Sequence, residues 1–337
     1  MLFTKDIGID LGTANTLVYL KGKGVVIREP SVVAVDVSRS KVVSVGLSAK
    51  EMIGRTPGSI VAAKPLRYGV ISDFRSTEAM LRMLIKKSAG NGLFNSARVL
   101  IGVPSGATEV EKRAVYDVVK NAGAKKIVIV EKGLASAIGA KLPINEARAN
   151  MIVDIGGGTT EVAVAALNDV VSSCSIKVAG DSFDEAITAY IKKKYSLLIG
   201  ERTAEEIKFT IGSAFPYEGE GSMEVMGRNL IDGLPRSVEV ASDEIRTSLA
   251  QPLFDILEAI KTTLEKAPPE LAADIIEQGI VLTGGSAVLR GLDRLITKQT
   301  RIPVTVAKNP SDCVAEGLGK LLVGEYMRTP DSDMYYD

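Results

Sequence analysis

The chain has 337 residues, enough for two domains with a core each, and its 46% hydrophobic and 24% charged content is ordinary for a globular protein. Lys+Arg and Asp+Glu both number 41, so overall charge gives no reason to expect nucleic acid as a partner, and no apolar stretch approaches a membrane span. Histidine is absent and cysteine occurs only at Cys174 and Cys313, which excludes a Ser-His-Asp triad, an imidazole base and a histidine or cysteine zinc cluster. Chemistry must then rest on carboxylates, hydroxyls, lysine, arginine and backbone amides, with magnesium the natural metal for such ligands. The cysteine usage fits a reducing compartment, one disulfide pair staying open, and no secretory signal pattern opens the chain.

Apolar runs predict strands over 7–11, 16–20, 31–36 and 42–45. A helix follows over 76–88, where Met80, Leu81, Leu84 and Ile85 form one apolar stripe. Next come a strand at 98–103, a helix over 108–121 ended by Gly123, and strands at 127–130, 151–155 and 161–166. Helices are predicted over 183–194 and 203–213, then an irregular stretch near 214–240. One helix is expected over 242–265 and another over 270–277, parted by the "APPE" at 267–270. Strands at 280–283 and 303–306 bracket a glycine turn and a helix, and an acidic tail follows from about 328. This alternation reads as α/β.

Two stretches repeat one design. Placing Asp10 of "IGIDLGTANTLVYL" over Asp154 of "IVDIGGGTTEVAV" sets Gly12 over Gly156, Thr13 over Gly157, Ala14 over Gly158 and Thr16 over Thr160. Each copy is an apolar strand, an aspartate, a small-residue turn and a second apolar strand. The copies lie much too far apart for a solenoid and suit two similar domains. Small residues let backbone N–H groups converge into a nest that binds anions, phosphate above all. An ionised aspartate only accepts hydrogen bonds, so Asp10 and Asp154 suit a hydrated Mg²⁺ bridging phosphate oxygens. Either hairpin alone reads better as an ordinary glycine turn than as a phosphate site; the pair reverses this and favours a clamp on a polyphosphate. A third glycine turn, "TGGS" at 283–286, could receive a nucleoside.

With those residues assembled, the sequence resembles the MreB family of bacterial actin homologues, within the actin-fold ATPases, from residue 1 to about 325. The stretches that carry the resemblance include "DIGIDLGTANTLVY", "VPSGATEVEKRAV", "NMIVDIGGGTTEVAV", "AGDSFDEAI", "YSLLIGERTAEEIK" and "PPELAADIIEQGIVLTGG". The resemblance implies two actin-like halves around a cleft holding ATP and Mg²⁺. The first large subdomain would comprise 1–32, 75–147 and 312–337, with 33–74 its small companion. The second would comprise 148–180 and 243–311, with 181–242 its small companion. Phosphate contacts carry over to Gly12, Thr13, Ala14 and Asn15, and to Gly156, Gly157, Gly158 and Thr159. Nucleoside contacts carry over to Glu205, Glu206 and Lys208, and to Gly284, Gly285 and Ser286. The family further implies antiparallel double filaments at the inner face of the cytoplasmic membrane, where similar proteins organise wall synthesis and maintain rod shape. Membrane contact would use Leu93 and Phe94 of "NGLFNS", with Met1, Leu2 and Phe3 a second anchor; by composition alone the pair reads as two partly buried residues.

The sequence departs from the family's Glu-Glu-Pro pattern at "EKG". Glu131 matches the first glutamate and, with Thr159, is what the resemblance leaves as a catalytic candidate, but Lys132 stands where the family has the glutamate that activates the attacking water, and Gly133 replaces proline. Ser286 replaces the last glycine of the third turn. Thr159, also expected near the γ-phosphate, and both aspartates are present. The departure bears on hydrolysis more than on binding. The leading reading is an ATP-binding filament protein with slow hydrolysis. The alternative is a pseudo-ATPase scaffold that binds nucleotide and co-assembles with a paralogous filament protein. A sugar or acetate kinase on this fold would need an acceptor pocket with its own base, for which no motif is visible. A chaperone-type ATPase would carry a substrate domain beyond the ATPase, for which the sequence leaves no room.

Overall fold

The computed structural model describes residues 5–56, 58–89 and 97–324. The membrane-contact residues Leu93 and Phe94, and Met1, Leu2 and Phe3, lie outside them.

Two five-stranded sheets share one plan. The first runs Lys126–Glu131, Arg98–Val103, Asp6–Leu11, Asn15–Leu20, Gly24–Pro30, and the second Val304–Val306, Ile280–Thr283, Asn150–Ile155, Thr160–Ala166, Asp169–Ile176. In each, a three-stranded antiparallel meander is extended by two parallel strands reached through helical crossovers. The registers coincide as well: Asp10 faces Leu17 and Gly102 in the first sheet, and Asp154 faces Glu161 and Thr283 in the second. The duplication read from two turns is therefore a duplication of whole sheets.

The central strands read as unbroken apolar runs because they are covered on both faces. Met151, Val153 and Ile155 point into the larger core beneath helices Gly180–Tyr195 and Ala250–Lys266, whereas Ile152 points the other way, into a smaller core with Ala137 and Ile138. The first sheet buries Ile7, Ile9 and Leu11 with the stripe Met80, Leu81, Leu84 and Ile85 of helix Phe74–Ala89. Capping at Thr108 starts helix Glu109–Asn121, its hydroxyl accepting from the Glu111 amide while the Glu111 carboxylate accepts from the Thr108 amide.

Two helices that the sequence reading missed, Lys132–Gly139 and Cys313–Val323, lie between the sheets and cross at very short range. A Cβ on Gly139 would overlap the Cys313 carbonyl, and one on Gly317 would overlap the Ala135 carbonyl. Their small residues are the condition for that crossing, and they leave little apolar periodicity to read. Other differences have local causes. The expected helix 242–265 is two, Ser242–Ser248 and Ala250–Lys266, because Pro252 cannot donate a hydrogen bond back across the break at Leu249. The stretch expected to be irregular contains the hairpin Ser222–Asn229 and Pro235–Ala241, mostly exposed, with only the short alternations Met223–Val225 and Val238–Val240 turned to the core. That hairpin and Leu197–Leu198 form one small sheet, and Val33–Asp36, Lys41–Val45 and Ile60–Ala63 form another. Cys174 and Cys313 are free thiols.

Candidate functional site

The two duplicated turns face each other across a cleft of about 650 Å³, a size suited to a small-molecule ligand. Gly157 lies against Ala14, where a Cβ would come within 2.5 Å of the alanine methyl, and Gly158 lies against Thr13. A side chain at either glycine would run into the opposite turn and force the two apart. The first turn is held by Ser31, whose hydroxyl donates to the Gly12 carbonyl at 2.6 Å and bonds Thr16 at 2.8 Å. The second is held by the Gly156 amide donating to the Thr159 carbonyl at 2.9 Å, and by Thr160 donating to the Val178 carbonyl at 2.6 Å. Asn15 and Thr159 line the same cleft, so all eight expected phosphate contacts are brought together.

At the floor between the turns, Lys132 lies in direct contact with Asp10. Its ammonium is 2.8 Å from Asp10 Oδ1 and donates to the Leu11 carbonyl at 3.0 Å. Only 6% of Lys132 is exposed. Burial alone would lower its pKa, but the Asp10 carboxylate, with Asp154 and Glu161 beyond, outweighs this and raises it, so the side chain stays charged. Asp154 sits opposite. Burial first, and the Asp10 charge second, push its carboxyl up to about 7, against the pull of Lys132 and a 2.9 Å hydrogen bond from the Thr283 hydroxyl. Since Thr283 gives its proton to Asp154, Ser136 donates to Thr283 across 2.6 Å. Glu131 ends its strand as the residue before helix Lys132–Gly139 and is not among the residues lining the cleft.

Glu161 is a buried carboxylate that the sequence reading did not single out. It accepts from the Ser105 amide at 3.0 Å and the Ser175 hydroxyl at 2.8 Å. The signal was available: a lone acid in the otherwise uncharged strand "TEVAVAA", where an unpartnered charge would be costly.

On the expected nucleoside side, Ser286 turns its hydroxyl to the Gly156 carbonyl at 2.7 Å, tying the third turn to the second. Gly284 adopts φ 86°, and a Cβ there would overlap the Ile155 carbonyl. Gly284, Gly285, Ser286, Glu205 and Lys208 all line the cleft, whereas Glu206 is exposed and is not part of its wall. Lys208 is buried, its ammonium 2.9 Å from Asp184 and 3.1 Å from the Gly180 carbonyl. Glu205 is held by Lys50 at 2.9 Å. Lys64 spans the cleft as well, pairing with Asp181 at 3.0 Å and with Glu201. The Gly69 amide donates to the Thr13 hydroxyl at 2.9 Å. These contacts bind residues 50–69 to the cleft walls, and sequence spacing gives no hint of them.

A protein-family model described as "MreB/Mbl protein" matches residues 4–329. The chain belongs to the MreB/Mbl family. It is 52% identical over 326 residues to the cell shape-determining protein MreB of Escherichia coli strain K12, covering 95% of this chain and 94% of that one. It is 49% identical over 321 residues to the cell shape-determining protein Mbl of Bacillus subtilis strain 168, covering 95% and 96%. Among solved structures, MreB5 of Spiroplasma citri bound to ADP superimposes with a TM-score of 0.91 at 37% identity, covering 98% of this chain and 99% of that one. The same protein bound to AMPPNP gives 0.89 at 38%, covering 94% and 95%. The MamK double helical filament gives 0.81 at 25%, covering 96% and 100%. The fold is therefore actin-like, as the sequence resemblance implied. Within it, the glycine turns of this MreB/Mbl chain line one cleft from both sides. The carboxylates are less accommodating to a metal. Asp10 is already engaged by an ammonium, and among the described residues no group of three or more carboxylates or cysteines could hold a metal ion.

Proposed function

We propose that this MreB/Mbl chain is an ATP-binding, self-assembling cytoskeletal protein that acts in cell-shape determination at the inner face of the cytoplasmic membrane and hydrolyses ATP slowly. The facing turns at 12–15 and 156–159 carry the reading, because they set glycines and small residues on both walls of one cleft, where backbone amides can approach a phosphate chain with no large side chain in the way. The similarity to MreB5 bound to ADP and AMPPNP, to the MamK filament and to cell shape-determining relatives supports it. The backbone amides of the turns bind and orient the phosphates, and Thr159 stands at their end. Asp154 is the carboxylate left to meet a magnesium ion accompanying ATP, whose chemistry when bound is charge neutralisation of the phosphates. Slow hydrolysis follows from Lys132, since a charged ammonium cannot accept a proton or hydrogen bond from water.

Gly157→Val tests the cradle. The added side chain fills the space against Ala14 without touching a core, so the fold survives while ATP binding falls at least tenfold in titration calorimetry. Unchanged affinity in a folded variant would remove the turns from the site.

Membrane association is proposed through Leu93 and Phe94. Burying two such side chains contributes about 3–6 kcal/mol in total, which a filament multiplies through many copies. The double change Leu93→Ser and Phe94→Ser is expected to release filaments from liposomes and leave polymerisation intact. Equal co-sedimentation of wild type and variant would refute it. Filaments would be antiparallel double protofilaments, with wall-synthesis membrane proteins as further partners. Lys132 also favours a second reading, a nucleotide-binding scaffold that joins filaments of a paralogue; polymerisation of the pure protein with ATP would argue against that.

A further inference from the structure

We propose that the Lys132 ammonium stands in for a divalent cation against the bound polyphosphate, so that this chain holds ATP without requiring magnesium. The inference rests on the nucleotide-binding reading above and adds what neutralises the ligand's charge.

Three observations carry it. First, Asp10 is the residue a magnesium ion would share with Asp154, and the Lys132 ammonium is already 2.8 Å from its Oδ1. A hydrated divalent ion and this ammonium would compete for one carboxylate. Second, the ammonium is built into place. The Lys132 stem crosses Gly102, the residue paired with Asp10 in the parallel register, and a Cβ on Gly102 would come to 3.2 Å from its Cγ. A larger residue there would press on the stem. Third, the ammonium has donors to spare. Of its three N–H groups one goes to the Leu11 carbonyl, while Asp10 Oδ1, 2.8 Å away, is met by charge and not by a hydrogen bond, which leaves donors to serve the cleft that Lys132 lines beside both glycine turns. A phosphate oxygen held by the turns is the acceptor whose charge such a donor fits.

A merely structural ion pair between Lys132 and Asp10 predicts something different, because ATP would then still depend on magnesium. The test is ATP affinity by titration calorimetry on the full chain, in excess Mg²⁺ and in excess EDTA. Wild type is expected to change by less than about threefold between the two. Lys132→Glu is expected to bind in Mg²⁺ and lose at least thirtyfold in EDTA. Lys132→Met would leave Asp10 unpaired, so the double variant Lys132→Met with Asp10→Asn removes both charges together; it is expected to bind at least tenfold more weakly than wild type in EDTA, with its melting temperature reported alongside. Wild-type binding that falls as steeply in EDTA as that of Lys132→Glu overturns the inference while leaving nucleotide binding intact. Metal-free affinity of the double variant equal to wild type overturns it too. Absence of ATP binding in both buffers refutes the nucleotide-binding reading, and this inference with it.

Discussion

Lys132→Glu is expected to raise magnesium-dependent phosphate release by about 10²-fold. A positioned base is worth roughly 10²–10⁴ in rate, and the present side chain cannot be one while charged. Its pKa is raised rather than lowered, so ordinary pH does not release a free amine. The lower end of the range is expected because a new carboxylate would sit beside Asp10 and Asp154 in a buried place. The same substitution breaks a buried ion pair, which typically costs about 3–5 kcal/mol. The variant should therefore melt below wild type without ligand and recover much of the difference with Mg²⁺ and ATP. Phosphate release unchanged from wild type, in a variant that still binds ATP, would mean that another group governs the water.

Gly317→Val is expected to destabilise the protein by about 3 kcal/mol, at the upper end of what overpacking costs. The clash is with the Ala135 carbonyl, a backbone atom inside a helix, so no rotamer change relieves it. Helices Lys132–Gly139 and Cys313–Val323 would have to separate, and each packs on a different sheet: the first on Asn150–Ile155 and Thr160–Ala166, the second on Asp6–Leu11 and Asn15–Leu20. Loosening that crossing therefore loosens one half against the other and shifts Lys132 at the start of its helix. Thermal melts should show a drop of several degrees, with weaker ATP binding. Gly221→Ala is the control: nothing lies within 4 Å of a Cβ there, and its φ is not in the left-handed region. A Gly317→Val melt matching that control would show that the crossing is looser than described.

What could be read from the sequence follows from how local each signal is. Asp10 and Asp154 could be found because the strand, the acid and the turn are contiguous, and because the pattern occurs twice. The strand Asn150–Ile155 was plain because burial on both faces makes Met151, Ile152, Val153 and Ile155 apolar on either side of Asp154. By contrast, the edge strand Asp169–Ile176, with its "SSCS", offers little apolar alternation, and pairing with Thr160–Ala166 is what makes it a strand. Cys313–Val323 was missed because close helix contact selects glycine and alanine over a stripe of large apolar residues. Family resemblance marked Lys132 as a departure, but its partner could not be deduced. Lys132 lies 121 positions from Leu11, whose carbonyl it bonds, and only the parallel pairing of Asp6–Leu11 with Arg98–Val103, and of Arg98–Val103 with Lys126–Glu131, brings it to Leu11 and Asp10. Glu161 was legible and passed over: it holds Ser105 and Ser175 from a position where the first sheet has Leu17.

A crystal structure of the full chain with AMPPNP tests the central claim most directly. The expected result is a triphosphate between residues 12–15 and 156–159, with the Lys132 ammonium within hydrogen-bonding distance of a phosphate oxygen and still beside Asp10. A triphosphate bound elsewhere, or Lys132 turned away with a metal ion between Asp10 and Asp154, would contradict it.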